Sequence, residues 1–307
     1  MNLSFIDESA KNPIAIERAK NIVQFFYYLQ IPLAFLCLIK LGGGDPGRTG
    51  FLPIWPISWL GSIPYSEGLK IIFTFYLASA FISSLFWRYK FGKIIGFLGI
   101  LQVHALSSSF GYIDHFFYFW LYTGFIFLFL PDTKTGIKVG IQTAKKFLFV
   151  FWGMIALILL TYTLSGIWKG YWGINQFFGG EIGSFSPYAF STQIANRSII
   201  ESKDFYYSDF IINNPLLVWP MYLGAIYIEV FAFWVAFKPN LHRTWGFLLL
   251  TLHSGILLVM GIPFFETVLF LSFILLNSPF SKEKISAKEQ LSDLLILGNL
   301  FLLFRKR

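Results

Sequence analysis

The sequence predicts an all-α, polytopic membrane protein of about eight transmembrane helices with both termini in the cytoplasm. Three observations carry this. Of 307 residues, 56% are apolar and only 13% are charged, about half of what a soluble domain carries, and mean hydropathy is +0.63. Apolar runs near 20 residues, enough to cross a ~30 Å hydrocarbon core, recur along the chain. Lysine and arginine alternate between the loops on the two sides, 18 against 6 of the 24.

The runs are Asn21–Leu41, Leu69–Trp87, Phe91–Ser109, His115–Pro131, Phe147–Trp168, Pro215–Phe237, Gly246–Gly261 and a shorter Pro263–Leu276. The last two are separated only by Gly261-Ile262-Pro263, so they read as two tilted spans or as one span with a re-entrant piece. The cation-rich side holds Lys11, Arg18 and Lys20, then Arg88, Lys90 and Lys93, then Lys134, Lys138, Lys145 and Lys146, then Lys238 and Arg243, and lastly the residues from Lys282 to Arg307. Residues 1–20 form a cytoplasmic lead-in with no cleavage site ahead of the first span. Residues 21–280 form the transmembrane domain and 281–307 a cytoplasmic tail, in which Leu291–Phe304, followed by three cations, reads as an interfacial helix on the anionic leaflet. The bilayer is the first partner, and the location is a cell membrane, of the bacterial cytoplasmic type.

Two outer segments are long enough to hold structure. Gly42–Gly68 has four prolines, with Trp55 and Trp59 placed as interfacial anchors. Lys169–Asn214 is rich in aromatic residues and reads as a lid over the outer helix ends. Its Asn196-Arg197-Ser198 matches a glycosylation acceptor, a weak signal at three residues.

Several function classes fall away. The basic residues are scattered between apolar runs, which excludes nucleic acid. A single cysteine, Cys37, builds neither a disulfide framework nor a thiolate cluster, and no His/Cys/Asp/Glu spacing suits a metal, so none is expected. The zinc-peptidase, dinucleotide, P-loop and serine-hydrolase motifs do not occur.

Ionisable residues within spans are costly and mark sites or structural clamps. Glu229 shares a helical face with Tyr222, Ala225, Ala232 and Ala236; His253 lies in the next span beside Thr251 and Ser254. Each is twelve residues from a turn at Leu241, or ~18 Å, so a Glu229–His253 pair is expected, as a structural clamp or a proton-handling pair. Glu266 falls near interfacial water. His104, two residues after Gln102, is a core group or a ligand contact. Asp114-His115 opens the fourth span, as an N-cap or with His115 as acid or base. Lys169 ends the fifth span beside aromatic residues, as an interfacial anchor or a base made neutral by desolvation.

In order, the chain carries Asn12-Pro13 with Arg18, then Tyr112-Ile113-Asp114-His115-Phe116-Phe117-Tyr118, with Leu130-Pro131-Asp132 closing that span. Gly166-Ile167-Trp168-Lys169 with Trp172-Gly173 follows, and then Glu229, Arg243, Gly246 and His253. This layout, over about residues 12–280, resembles the HTTM (horizontally transferred transmembrane) family, to which the membrane domain of vitamin K-dependent gamma-glutamyl carboxylase belongs. The resemblance implies that Lys169 stands in the place of a catalytic lysine and His115 in that of an active-site histidine. An Asp precedes His115 where the carboxylase has Asn. The resemblance implies a reduced, vitamin K-like quinone as cofactor, and His104, Glu229 and His253, as ionisable groups within spans, are the residues expected to face it. Two readings stay open: a membrane enzyme acting on a lipid-soluble quinol at the extracytoplasmic face, or a non-catalytic subunit binding other membrane subunits.

Overall fold

The computed structural model describes residues 3–42, 51–110, 118–133, 140–180, 182–262, 264–282 and 284–298. Among these residues there are helices and no strand. Five helical stretches are long and apolar enough to cross a membrane: Pro13–Ile39, Tyr65–Phe86, Lys90–Ser108, Ile141–Phe178 and Pro239–Met260. Tyr118–Phe127 and Pro215–Val230 are apolar but shorter. At 1.5 Å per residue they reach only about 15 and 24 Å. The chain divides into two compact units, Ser4–Met154 and Ile155–Arg307.

In the first unit, a short helix α1 (Ser4–Ala10) leads into α2 (Pro13–Gly42), followed by α3 (Tyr65–Phe86), α4 (Lys90–Ser108), α5 (Tyr118–Phe127) and the start of α6 (Ile141–Phe178). α3 and α4 are a close antiparallel pair because small residues line the seam. A Cβ on Gly96 would stand 2.8 Å from Ser83 Cβ, and one on Gly92 would overlap the Phe86 carbonyl. In lipid, where apolar burial drives no association, such stripes let backbones approach and dispersion act. The Ser79, Ser83 and Ser84 hydroxyls bond to carbonyls three residues back in their own helix, so this polar seam leaves them satisfied. Tyr27, Phe26, Trp120, Phe127 and Phe151 form the aromatic core between α2, α5 and α6.

Lys93, one turn into α4, is 2% exposed. Its ammonium donates to Leu130 O at 2.8 Å, to Pro131 O at 3.3 Å and to Asp132 Oδ1 at 3.2 Å. Leu130-Pro131-Asp132 therefore stops α5 and supplies a cradle for a buried lysine, which needs such acceptors once taken from water. Between α2 and α3, Leu52 N and Ile54 N donate to Ser109 O and Oγ, and Trp55 is exposed.

In the second unit α6 continues as one helix to Phe178, past the end expected at Trp168. Helices α7 (Ala189–Glu201), α8 (Ser208–Asn213), α9 (Pro215–Val230), α10 (Ala232–Val235), α11 (His242–Met260), α12 (Phe265–Leu271) with a π turn at Ser272–Leu276, and α13 (Ala287–Asp293) follow. α11 ends at Gly261 with φ +65°, a left-handed position that glycine takes at no cost, and Phe205 packs on its bare face. α12 and its π turn measure about 18 Å.

The single interfacial helix expected over Leu291–Phe304 is not formed among the described residues. α13 ends at Asp293 and the chain turns through Leu294–Ile296, where Ile296 has φ +66°. The cause is a set of polar anchors. Lys238 and Asn240 bond the two Asp293 carboxylate oxygens at 2.9 and 3.0 Å, the Trp234 indole donates to Asp293 O, and Tyr227 Oη donates to Leu295 O at 2.7 Å. At the other end of α13, the Ser286 amide and hydroxyl bond the Glu289 carboxylate in a capping box and hold it below the usual glutamate range.

Candidate functional site

One face of α6 carries Tyr162, Thr163, Gly166 and Lys169, at the three- and four-residue spacing that stacks side chains along a helix. Gly166 sets the approach of α9: a Cβ there would lie 2.5 Å from Val230 N and 2.9 Å from Glu229 C. No larger residue leaves room for the α9 backbone. At this crossing α9 is interrupted, with Phe231 (φ −96°, ψ 9°) between the end of α9 at Val230 and the start of α10 at Ala232.

A break inside an apolar span exposes backbone groups that lipid cannot satisfy. Two side chains meet this need. The Thr163 hydroxyl donates to Glu229 O at 3.2 Å and accepts from Phe233 N at 2.8 Å, standing in the bond those two groups would make in an unbroken helix. The Trp245 indole, from α11, donates to Ile228 O at 3.1 Å, the carbonyl that Ala232 N would otherwise take.

Beside the break, Lys169 Nζ donates to both Glu229 carboxylate oxygens, each at 2.6 Å. The Glu229 side chain is 9% exposed and that of Lys169 39%. The carboxylate is thus shut in while the lysine keeps contact with its surroundings. Two turns back along α6, Tyr162 Oη and His253 Nε2 lie 2.6 Å apart. Phe264 covers that ring at a centroid distance of 4.9 Å.

The expected Glu229–His253 pair is not formed. Each residue is bonded from α6 instead, Glu229 by Lys169 and His253 by Tyr162. Equal depth along α9 and α11 says nothing about which helix lies laterally beside them, and α6 supplies both partners. Lys169, Glu229 and His253 are brought into one group. His104 belongs to the other unit, where it is half-buried on α4 with its ring 5.0 Å from that of Tyr118. Asp114, His115 and the side chain of Glu266 lie outside the described residues.

Of the aromatic residues expected in the lid, Tyr171, Trp172, Phe177, Phe178, Tyr188, Tyr206 and Tyr207 are exposed, whereas Phe205 packs on the end of α11 and Phe190 stacks on Tyr222 at 5.3 Å. Phe190 and Ile194 of α7 also pack with Ile211, Val218, Val259 and Met260. Sequence reasoning passed over Tyr162, Thr163 and Trp245. The first two had a signal, being polar groups on the Lys169 face of an apolar run. A fourth, His242, is fully buried with Nδ1 2.7 Å from Ser278 Oγ, a clamp between α11 and the chain after the π turn.

Among the described residues no group of three or more His, Cys, Asp or Glu could hold a metal. A hydroquinone needs a flat apolar contact and a partner for its hydroxyl. The buried His253 Nδ1 has no hydrogen-bond partner among the described residues, and the Phe264 ring lies against it, so this corner fits such a group. Compared with known proteins, the chain matches no family model, no curated relative and no solved structure.

Proposed function

We propose that this chain is a multi-pass membrane enzyme of the quinol-dependent, carboxylase-like kind suggested by its motif order, with its centre at Lys169, Glu229, Tyr162 and His253. The observation that carries the proposal is the enclosed Lys169–Glu229 pair beside an interrupted helix. A carboxylate and an amine in direct contact can exchange a proton with little movement, and an enclosed setting strengthens that coupling. Tyr162 and His253 form a second hydrogen-bonded pair able to take or give a proton. His253 Nδ1 and Phe264 would hold a reduced quinone, which supplies reducing equivalents when bound. For His104 and His115 the proposal rests on the sequence alone.

The alternative, a non-catalytic membrane subunit, draws support from the exposed aromatic end of α6, Trp168, Tyr171, Trp172, Phe177 and Phe178, a surface suited to a partner helix. One experiment separates the two. Reconstituted protein is assayed in air-saturated buffer, with dioxygen as the electron acceptor, for oxidation of a reduced vitamin K-like quinone, with Lys169→Arg beside wild type. In the enzymatic reading the variant folds and loses turnover, because a guanidinium does not give up its proton. Quinol left unoxidised by wild type, with cellular function intact in the variant, decides for the subunit.

A further inference from the structure

The first unit has a half-open groove of about 410 Å³ between α2 and α3 that the proposed centre does not use. Its floor is Ala34, Leu69 and Phe73, all buried; Phe35, Leu38 and Leu77 form apolar walls. The rim is of a different kind. Ser66, Lys70 and Thr74 follow one another at four-residue steps along α3 and are all exposed, a polar row beside the apolar row of Leu69, Phe73 and Leu77.

Charge and length decide what fits. Lys70 makes no ion pair and no hydrogen bond to another of the described residues, on the side of the chain where cations are scarce, so the groove presents an unmatched positive charge at its polar end. From Ser66 to Leu77 is eleven residues, or about 16 Å of helix. That is about half of a ~30 Å hydrocarbon core, one leaflet deep and no more. A spanning peptide is too long for such a groove, and a soluble anion leaves the apolar floor bare. We infer that the α2–α3 groove binds one anionic phospholipid, with its phosphate on Lys70 and Ser66 and one acyl chain along Leu69, Phe73 and Leu77.

The test uses full-length protein in nanodiscs of mixed phosphatidylcholine and phosphatidylglycerol, with lipid retained after detergent extraction counted by native mass spectrometry. Wild type should keep one phosphatidylglycerol per chain over the phosphatidylcholine background. Lys70→Gln should lower that retention about fivefold and Lys70→Glu about 30-fold, with phosphatidylcholine unchanged. Leu77→Trp, which fills the inner end without touching charge, should lower it too. Both sites lie at the groove surface, and an unchanged helical spectrum and elution volume accompany each comparison. Equal retention of the two lipids by wild type overturns the proposal, as it would if the groove were covered by another stretch of chain or a second copy. So does full retention in Lys70→Glu, or displacement of the lipid by glycerol phosphate alone.

Discussion

Lys93 and Lys169 are both lysines in apolar helices, yet they are satisfied differently. Lys93 is nearly sealed and takes two carbonyls with one carboxylate, whereas Lys169 takes a single carboxylate and stays partly exposed. The difference predicts an asymmetry in the Lys169–Glu229 pair. Lys169→Met strands an enclosed carboxylate and should cost about 3 kcal/mol, while Glu229→Gln leaves a lysine able to turn outward and should cost about 1 kcal/mol. The double variant should be more stable than Lys169→Met alone. Unfolding in detergent of all four proteins gives the cycle; equal single costs would mean that the carboxylate is not enclosed as described. Lys169 and Glu229 were each legible as candidates because charge is conspicuous in an apolar run. Their pairing was not, since spacing along one helix fixes depth and face but never the neighbour.

At the level of elements, the run Pro215–Phe237 reads as one helix because nothing in Glu229-Val230-Phe231-Ala232 is a helix breaker. Its interruption is imposed from outside, where Thr163 and Trp245 offer the backbone better-placed partners once Gly166 lets α6 close in. Thr163→Val keeps the shape and removes both bonds. It should destabilise the protein by about 2–4 kcal/mol, two unsatisfied backbone groups, or α9 and α10 should rejoin as a continuous helix. A thermal-unfolding series that includes Thr163→Ser separates the hydroxyl from the methyl: Ser should recover most of the loss. The long helices α2, α3, α4, α6 and α11 were legible from hydropathy alone. The end of α13 at Asp293 was not legible, because the largely apolar stretch Leu291–Phe304 conceals that Asp293 has two partners waiting near the end of α10.

For the whole molecule, the apolar runs and the alternation of basic loops propose eight crossings and two cytoplasmic ends; among the described residues five helices are long and apolar enough to cross a membrane. Single cysteines at Asp204 and Lys284, in a Cys37→Ser background, should react with an impermeant maleimide from opposite faces, Asp204 from outside. Cys37 itself is buried. Reaction of both from one face would remove an odd number of crossings between residues 204 and 284.

The partners of the α9–α10 interruption also lie on both sides of it in the order of synthesis. Thr163 has already left the ribosome when Ile228 and Glu229 are made, but Trp245 has not, and the Asp293 and Leu295 carbonyls that receive Trp234 and Tyr227 come about fifty residues after Trp245. A nascent chain that has just placed α9 in the membrane therefore carries an Ile228 carbonyl, an indole and a phenol whose eventual partners have yet to join it there. For that interval the segment is better served as an unbroken helix. The interruption beside Glu229 is thus completed in biosynthesis only after Trp245 has followed it out of the ribosome.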